Sequence, residues 1–556
     1  MREEGRKQLR FMPLGGVDDI NRNCYVVEYG NDILAIDLGL SFPDDAGYGI
    51  DYFIPDIDYL KKRKNQIAGI VLTHAHLDHI GAIPHVIEDL GFPTIYARQF
   101  TALLLKDKLR EYELHNRVKI QVVEPNRDIQ IRSFNVRWTP ITHAIPQSCT
   151  ILVKTPVGKV MYTGDFKFDD DPVNEPKPDY AEFTRIGKEG VDLLCMDSTN
   201  VFEEGKALSE TEISRNLEGI IKRARARVFV ATFSSLGTRL YSLTKIAQRL
   251  GKKITVIGRS MKSMLSILRK INYIDVKDDL FIDEKSMNKY PDEKLMALVT
   301  GTQGEDLSAL ARMSRNEHQS VKIKRGDTII LSSSVIPGND IAVQHLIDDL
   351  LKLGARIFHK AFMDVHTSGH GYQEDMKRMY ELIRPKNVMP VHGWPSFRDE
   401  MSYLLGKWGM DKSKILMAST GQQFVYSPKT GKWFLDTTYP VKDVYVDGTR
   451  VGILDPKELQ ERGKLAENGM LVAVIKVDTM FNIVGSPRIL YQRQIEGEKI
   501  SKIQKYLGGK YQMLKGKRNR IENKDLQKME YKLSDQLYNF VRREIGKEPI
   551  IVVSIV

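Results

Sequence analysis

The sequence predicts a multidomain α/β protein, and three observations predict it. An apolar, strand-like run, Ile67–Leu72, empties into a turn dense in metal-ligating side chains, Thr73-His-Ala-His-Leu-Asp-His79. From about residue 208, apolar strands alternate with helical stretches, the pattern of a parallel sheet. Near Met470 the alternation restarts as a short, self-contained α/β unit. A chain of 556 residues, 42% hydrophobic and 28% charged, has room for about three or four globular domains.

Composition also excludes several classes. No apolar run approaches the roughly 20 residues that span a bilayer, so no membrane partner is expected. The charged start, Met1-Arg-Glu-Glu-Gly-Arg-Lys, lacks the apolar segment of a signal peptide. Cys24, Cys149 and Cys195 each lie in an apolar run and read as reduced core residues of a cytoplasmic protein. The net charge of +11 permits a polyanionic partner. Residues 501–550 hold 13 Lys/Arg against 6 Asp/Glu. A solvated helical surface accounts for that window equally well, so charge alone does not establish nucleic-acid binding.

The His/Asp turn sets the chemistry. On extended backbone His74 and His76 point the same way, by the period of two, while Asp78 and His79 leave the turn toward a second point. Imidazole and carboxylate suit zinc or manganese. A carboxylate bridging two such clusters makes a two-metal hydrolytic centre. Without metal, three imidazoles and a carboxylate would need hydrogen-bond partners within one half-buried loop.

Upstream, short strands are expected at Phe11–Gly16, Cys24–Tyr29 and Ile33–Asp37, the last two joined at Asn31-Asp32 as a hairpin. Asp37 ends its strand and reads either as a group behind the metal ligands or as a turn carboxylate. In the loop 42–49, Phe42 or Tyr48 can stack on a base or fold beneath the loop. Downstream, 85–116 reads as helix, strand and helix, followed by strands at 118–123 and 128–138. His143 then sits between Pro140 and Pro146 on a stiffened loop, where a tetrahedral site begun by His74 and His76 still lacks a third imidazole. A hairpin, Thr150–Lys154 with Lys159–Tyr162, delivers Asp165 after Gly164 at a strand end, the place for a bridging carboxylate. The strand Val191–Met196 ends in Asp197-Ser-Thr-Asn200, with Asp197 placed to orient a ligand histidine.

Ser209-Glu-Thr-Glu212 reads as a capping box opening a helix to about Arg227. Strands at Val228–Phe233, Lys253–Gly258, around Leu298 and at Thr328–Ser332 then alternate with helices to about residue 360. Loops at the carboxyl ends of parallel strands are where ligands sit, and three here are rich in Ser, Thr and Gly: Ser234-Ser235, Thr300–Gln303 and Ser332–Ser334. Two late motifs, His366-Thr-Ser-Gly369-His370 and Val391-His392-Gly393, return histidines toward the first domain. His85, His115, His318, His345 and His359 read as ordinary structural or surface residues. Residues 428–465 are turn-rich and charged, a linker pattern; strands at Leu471–Val477, Ile489–Gln494 and Ile550–Ile555 and helices at 498–512 and 524–546 follow.

With these pieces in order, the chain resembles the ribonuclease J family, nucleases whose metallo-β-lactamase domain is interrupted by a β-CASP domain. The resemblance runs from about residue 8 to the terminal strand and rests on Thr73-His-Ala-His-Leu-Asp-His-Ile-Gly, Thr163-Gly-Asp-Phe-Lys, Asp197-Ser-Thr-Asn, Ser368-Gly-His-Gly and Val391-His-Gly. It implies a metallo-β-lactamase αββα sandwich (1–207 and 363–430) interrupted by an α/β β-CASP domain (208–362), a linker (431–465) and a small C-terminal α/β domain (466–556). It implies that His74, His76 and His143 bind one metal and Asp78, His79 and His392 the other, with Asp165 bridging. Zinc suits this set, and manganese suits the oxygen-richer second position. Asp197, His370 and His392 match the three β-CASP motifs, and a histidine at the second resembles RNA-directed members. Ser234, Ser235, His366, Thr367 and Ser368, with Gly369 and His370, lie where the family gathers the terminal phosphate of its substrate. Leu77, Ala82 and Leu236-Gly237 depart from the family pattern, the last beside that pocket.

The resemblance implies a 5′-to-3′ exonuclease preferring a 5′ monophosphate, with endonuclease activity, acting on single-stranded RNA in rRNA processing and mRNA decay. His370 would stabilise the transition state or protonate the leaving 3′ oxygen, beside Asp78, Asp165 and Asp197. A homodimer or homotetramer through the C-terminal domain, and other RNA-decay proteins as partners, are also implied. Rival readings are a thioester hydrolase or a transfer-RNA nuclease, opposed by the insert and the His370/His392 pair. An mRNA-cleavage endonuclease is opposed by the terminal domain, and an inactive RNA-binding scaffold by the intact ligand set.

Overall fold

The computed structural model describes residues 8–43, 48–305, 307–336, 338–453, 455–491, 497–518 and 520–556. It divides into two compact units: the chain through Ser41 with Ile54–Val441, and Phe42–Phe53 with Lys442–Val556.

The first unit is built on two facing sheets. In the eight-stranded sheet, Asp32–Ile36, Ile67–Val71 and Ile95–Ala97 run parallel at the centre. Strands covered on both faces read as continuous apolar runs, which is why Ile67–Val71 was legible. The six-stranded sheet runs Val388–Val391, Leu193–Asp197, Lys159–Tyr162, Cys149–Lys154, Phe134–Pro140, Asp128–Ile131. Along Cys149–Lys154 the side chains alternate. Ile151 and Val153 join Phe11, Tyr25, Leu34 and Trp138 between the sheets, whereas Leu152 joins Phe183, Met379 and Leu405 of the covering helices. Helix Gln99–Glu111 lies against Ile95–Ala97 and Ile120–Val122 on the outside of the other sheet. The layers are helix, sheet, sheet, helix: the expected αββα sandwich.

Between the sandwich strands Leu193–Asp197 and Val388–Val391, which pair in parallel, the chain makes a five-stranded sheet. All its pairings are parallel, in the order Lys253–Ile257, Leu295–Val299, Val228–Ala231, Thr328–Leu331, Arg356–Phe358. Helix Glu210–Arg223 opens it, ending before the expected Arg227. The Ser209 hydroxyl accepts from the Thr211 N–H, one residue short of the capping-box partner Glu212. After the insert, Gln422–Ser427 pairs with Leu9–Pro13 and closes the sandwich sheet.

The second unit packs helices Gly497–Lys515 and Asn523–Ile545 on one face of the sheet Arg488–Tyr491, Met470–Ile475, Ile550–Ile555. The expected strand reach to Gln494 falls partly outside the described residues. The same unit contains a second small sheet, in which Tyr52–Ile54 lies beside the hairpin Val444–Asp447/Arg450–Ile453. The aromatic loop therefore belongs to this unit. Phe42 meets Tyr52 edge-on at 5.6 Å, and a Cβ on Gly463 would touch the Tyr48 ring at 3.1 Å.

Three local readings change. The first hairpin turns at Gly30-Asn31, because Tyr29 pairs with Asp32 and Gly30 takes a positive φ. The run 128–138 breaks at Arg132-Ser133 into an antiparallel hairpin, since Ile131 pairs with Phe134. Where a linker was expected, at 431–465, stand the strand Lys432–Thr438, the hairpin and helix Pro456–Asn468. Apart from Tyr445 and Val446 these elements bury little of themselves, Trp433 being the one buried residue of its strand, so their sequences carry the charge of a linker. Among the described residues no helix is long and apolar enough to cross a membrane.

Candidate metal centre

The strand Ile67–Val71 ends at a point where Thr73 is fixed twice by Asp37: its N–H and its hydroxyl both donate to that carboxylate, at 2.9 and 2.8 Å. Asp78 and His79 lie not on an irregular turn but on the single helical turn Leu77–Ile80. That turn presses so closely on Gly39 that a Cβ there would collide with the Asp78 carbonyl. His143 arrives on its loop, Asp165 after the strand Lys159–Tyr162, and His392 directly after Val388–Val391, with φ of 53°.

These side chains converge as two clusters sharing one carboxylate: His74, His76, His143, Asp165; and Asp78, His79, Asp165, His392. In the first, His76 Nδ1 lies 3.1 Å from both His74 Nε2 and His143 Nε2. Asp165 Oδ2 lies 3.4 and 3.6 Å from the same two Nε2 atoms. In the second, Asp165 Oδ1 lies 3.1 Å from His79 Nε2 and 3.2 Å from His392 Nε2, and Asp78 Oδ2 lies 3.3 Å from each. Ligands ~2.05 Å from a tetrahedral zinc are separated by roughly 3.3 Å, close to these spacings in both clusters. Asp165 Oδ1 is buried without a hydrogen-bond partner, as a metal-facing oxygen would be.

Protonation agrees with that fit. Burial pushes the His74, His76 and His143 imidazoles down, His76 to about 3, so all three present lone pairs at neutral pH. Burial works against ionising Asp165 and Asp78, yet the surrounding imidazoles, His392 and His79 foremost, hold both well below the usual carboxylate range. Asp165 and its neighbouring carboxylates in turn hold His79 and His392 above the usual imidazole range, against burial. Those bound protons are the positive charge that divalent ions can replace.

Behind each imidazole that offers Nε2, a partner fixes the ring from Nδ1. His79 pairs with Asp37 at 2.7 Å, His74 with the Thr73 hydroxyl at 3.0 Å, His143 with the Gly369 carbonyl at 2.8 Å and His392 with the Thr199 hydroxyl at 2.6 Å. Such contacts set the tautomer and orientation of a ligand. Asp37 thus stands behind His79, the first of its two readings. The sequence reasoning missed Thr73, Thr199 and Asn23, whose amide donates to the Asp78 carbonyl at 3.2 Å. The motif Asp197-Ser-Thr-Asn pointed toward Thr199, but no local signal joins Gly369 to His143, 226 residues away.

His370 stands beside both clusters. Its Nδ1 meets Asp197 Oδ2 at 2.7 Å and its Nε2 lies 3.8 Å from Asp165 Oδ2. Burial opposes its protonation, but Asp197 and Asp165 raise it to about 9. Asp197 also accepts from the Thr199 hydroxyl at 2.7 Å, so it orients His370 directly and His392 through Thr199.

The residues expected at the terminal phosphate divide. Ser234 and Ser235 are half-buried at the carboxyl end of Val228–Ala231. The Ser368 hydroxyl accepts from Asn200 at 2.8 Å and from the His370 N–H at 3.1 Å, which leaves its proton free to donate. The Thr367 hydroxyl donates instead to the Leu208 carbonyl at 2.9 Å and has no proton left for an anion. His366 is buried, and burial together with Arg239, Lys360 and Lys167 holds it well below the usual imidazole range. It therefore supplies no charge.

Residues 17–207 match the metallo-β-lactamase superfamily, 225–350 the ribonuclease J β-CASP domain, 361–406 the Zn-dependent metallo-hydrolase RNA specificity domain and 457–556 the ribonuclease J C-terminal domain. The chain is 34% identical to ribonuclease J of Helicobacter pylori over 99% of its own length and 79% of the relative's. The chain belongs to the ribonuclease J family. Ribonuclease J 1 of Streptococcus pyogenes is 33% identical, with 97% of this chain and 96% of that protein covered. A solved structure of an Enterococcus faecalis protein of unknown function shares the fold at a TM-score of 0.53, with 15% identity over 75% of this chain and all of that one. As a ribonuclease J family member the chain is a metal-dependent ribonuclease of the metallo-β-lactamase fold.

In this chain, replacing Asp37 by Asn removes the anionic end of the contact that orients His79. The expected result is metal affinity weakened about 10–100-fold with the fold intact, read by competition with a chelator. Unchanged affinity would mean that Thr73 and the helical turn suffice to hold His79.

Proposed function

We propose that the chain holds two divalent ions and degrades single-stranded RNA from its 5′ end, with internal cleavage as a second activity. The observation that carries the reading is Asp165, one carboxylate whose two oxygens each complete a separate, tetrahedrally spaced cluster. His74, His76 and His143 hold one ion and Asp78, His79 and His392 the other. The donor set suits zinc, with manganese an alternative at the oxygen-richer position. When bound, the ions supply Lewis acidity toward water and the phosphoryl oxygens.

The chain's own groups do the rest. Asp197 accepts a hydrogen bond from His370 Nδ1–H, which leaves Nε2 facing the bridging carboxylate to stabilise the transition state or to protonate the leaving 3′ oxygen. Ser368 donates to a terminal phosphate, aided by Ser234, Ser235 and the N–H of Gly369. A terminal pocket fixes the distance from the chain end to the metals, which is what an exonuclease requires. His366 joins this wall as a neutral side chain and Thr367 as a tie to Leu208. Residues up to 207, without the Phe42–Phe53 segment, serve with 363–430 as the catalytic domain, 208–362 as the closing domain and the C-terminal part as an assembly module, in a cytoplasmic enzyme of rRNA processing and mRNA decay.

Elemental analysis is expected to return about two divalent ions per chain, and Asp165→Ala to abolish hydrolysis with little change in circular dichroism. Active protein carrying only trace metal would sink the assignment. Rates on 5′-monophosphate, 5′-triphosphate and 5′-hydroxyl versions of one unstructured RNA test the polarity. Mononucleotide release from the monophosphate form, reduced by Ser368→Ala, supports the pocket; equal rates with only internal fragments leave an endonuclease.

The assembly reading rests on the face of the terminal sheet turned away from its two long helices, where Val472 pairs with both Leu490 and Val552, the latter two about half exposed. Cutting at residue 465 would sever helix Pro456–Asn468, so point changes test this better. Leu490→Lys with Val552→Lys is expected to lower the mass seen by light scattering from dimer or tetramer toward monomer, with the metal content unchanged. An unaltered mass refutes assembly through this face.

A further inference from the structure

Arg239 is a buried cation that the mechanism leaves unused. Arg239 lies on helix Gly237–Arg249, whose first turn emerges from the Ser234-Ser235 loop, and it is 1% exposed. Its guanidinium makes two contacts with Glu210, Nε to Oε1 at 2.5 Å and Nη2 to Oε2 at 2.9 Å. From the other side, Nη1 donates to the Ser332 hydroxyl and, at 3.0 Å, to the Val365 carbonyl. The Ser332 hydroxyl donates in turn to the same Val365 carbonyl at 2.7 Å. One side chain thus joins the start of the insert, the end of its strand Thr328–Leu331 and the first residue of the returning segment.

That segment is pinned along its length. Thr367 is tied to Leu208, Ser368 to Asn200, Gly369 to His143 and His370 to Asp197. Arg239 supplies the tie at Val365, on the insert side. The helix carrying it is seated on the catalytic loop itself. A Cβ on Gly237 would meet the Pro146 ring at 2.6 Å, and the Thr238 hydroxyl reaches the Ala144 carbonyl at 3.4 Å. The Leu236-Gly237 departure has therefore a packing consequence: the bare Gly237 lets the helix approach the His143 loop.

We propose that Arg239 is a positioning residue that holds the serine loop and the segment Val365–His370 in register, and so sets the reach from the terminal phosphate to His370. This rests on the pocket reading given above. A planar fork is required, because three acceptors lie in different directions around one buried charge; a lysine keeps the charge and loses the fork.

The test compares Arg239→Lys with Arg227→Lys in the full-length, metal-loaded protein. Arg227 is a second buried arginine of the insert, paired with Asp327 at 3.0 and 2.5 Å and remote in contact from the returning segment. The readout is the ratio of 5′-monophosphate-dependent kcat/KM to the rate on a circular RNA of the same sequence, with metal content and thermal unfolding measured alongside. Arg239→Lys is expected to lower the ratio at least about tenfold, mainly through KM, the scale of loss that a misplaced group produces. Arg227→Lys leaves the ratio unchanged. Should Arg239→Lys fail to fold, Ser332→Ala removes a single link of the same network and is expected to shift the ratio the same way. A wild type that discriminates 5′ ends while Arg239→Lys or Ser332→Ala loses both activities equally, or neither, overturns the positioning role alone. A wild type whose rates ignore the 5′ end overturns the pocket reading and this inference with it.

Discussion

The Asp165 carboxylate is buried between two groups of imidazoles, and the arrangement of the catalytic unit follows from keeping it there. An isolated buried carboxylate costs several kcal/mol even after relaxation. It is tolerable only where positive charge reaches both oxygens. Four strand ends place the groups of that site: Ile67–Val71 leads to His74, Lys159–Tyr162 to Asp165 itself, Leu193–Asp197 to the group that orients His370, and Val388–Val391 to His392. Rigid, doubly covered strands place these groups more closely than loops could, and the spacings near a tetrahedral edge depend on that.

The interrupted chain makes sense on the same terms. His392 and the Gly369 carbonyl enter the site some two hundred residues after His143, one as a proposed ligand and the other as a ligand's support. The first cluster can be assembled from residues before 166, but its His143 ring is oriented only after the insert has returned. The second cluster needs His392 outright. Folding of the insert and completion of both clusters are thereby linked, the first through Gly369 and the second through His392.

The residues of the proposed metal centre were legible because their chemistry is local. Three imidazoles and a carboxylate in six positions, an Asp after Gly at a strand end and a His beside Gly after an apolar run are patterns that one strand and its turn produce. What escaped was either long-range or conformational. The Gly369–His143 contact has no local signature. The helical turn Leu77–Ile80 is too short to show a period, so it read as irregular. Within 431–465 the strands Lys432–Thr438 and Arg450–Ile453 lie at sheet edges and are largely exposed, and their polar sequences resemble a linker. The Phe42–Phe53 segment joins the second unit through one strand of three residues, below any pattern that alternation can reveal.

The proposed pocket shows why residue type alone misleads at the last step. Thr367 and Ser368 are neighbours with the same functional group, yet one has donated its proton to the Leu208 carbonyl and the other has accepted twice and kept its own. His366, which a sequence suggests as a charged contact, is neutral because burial and nearby cations oppose its protonation, Arg239 foremost among them. Arg239 itself, silent in the sequence reading, spends its donors on a carboxylate, a hydroxyl and a backbone carbonyl rather than on a substrate. Which hydroxyl can serve an incoming phosphate is thus decided by the direction of protons already committed within the fold. That commitment is made by residues on both sides of the insert.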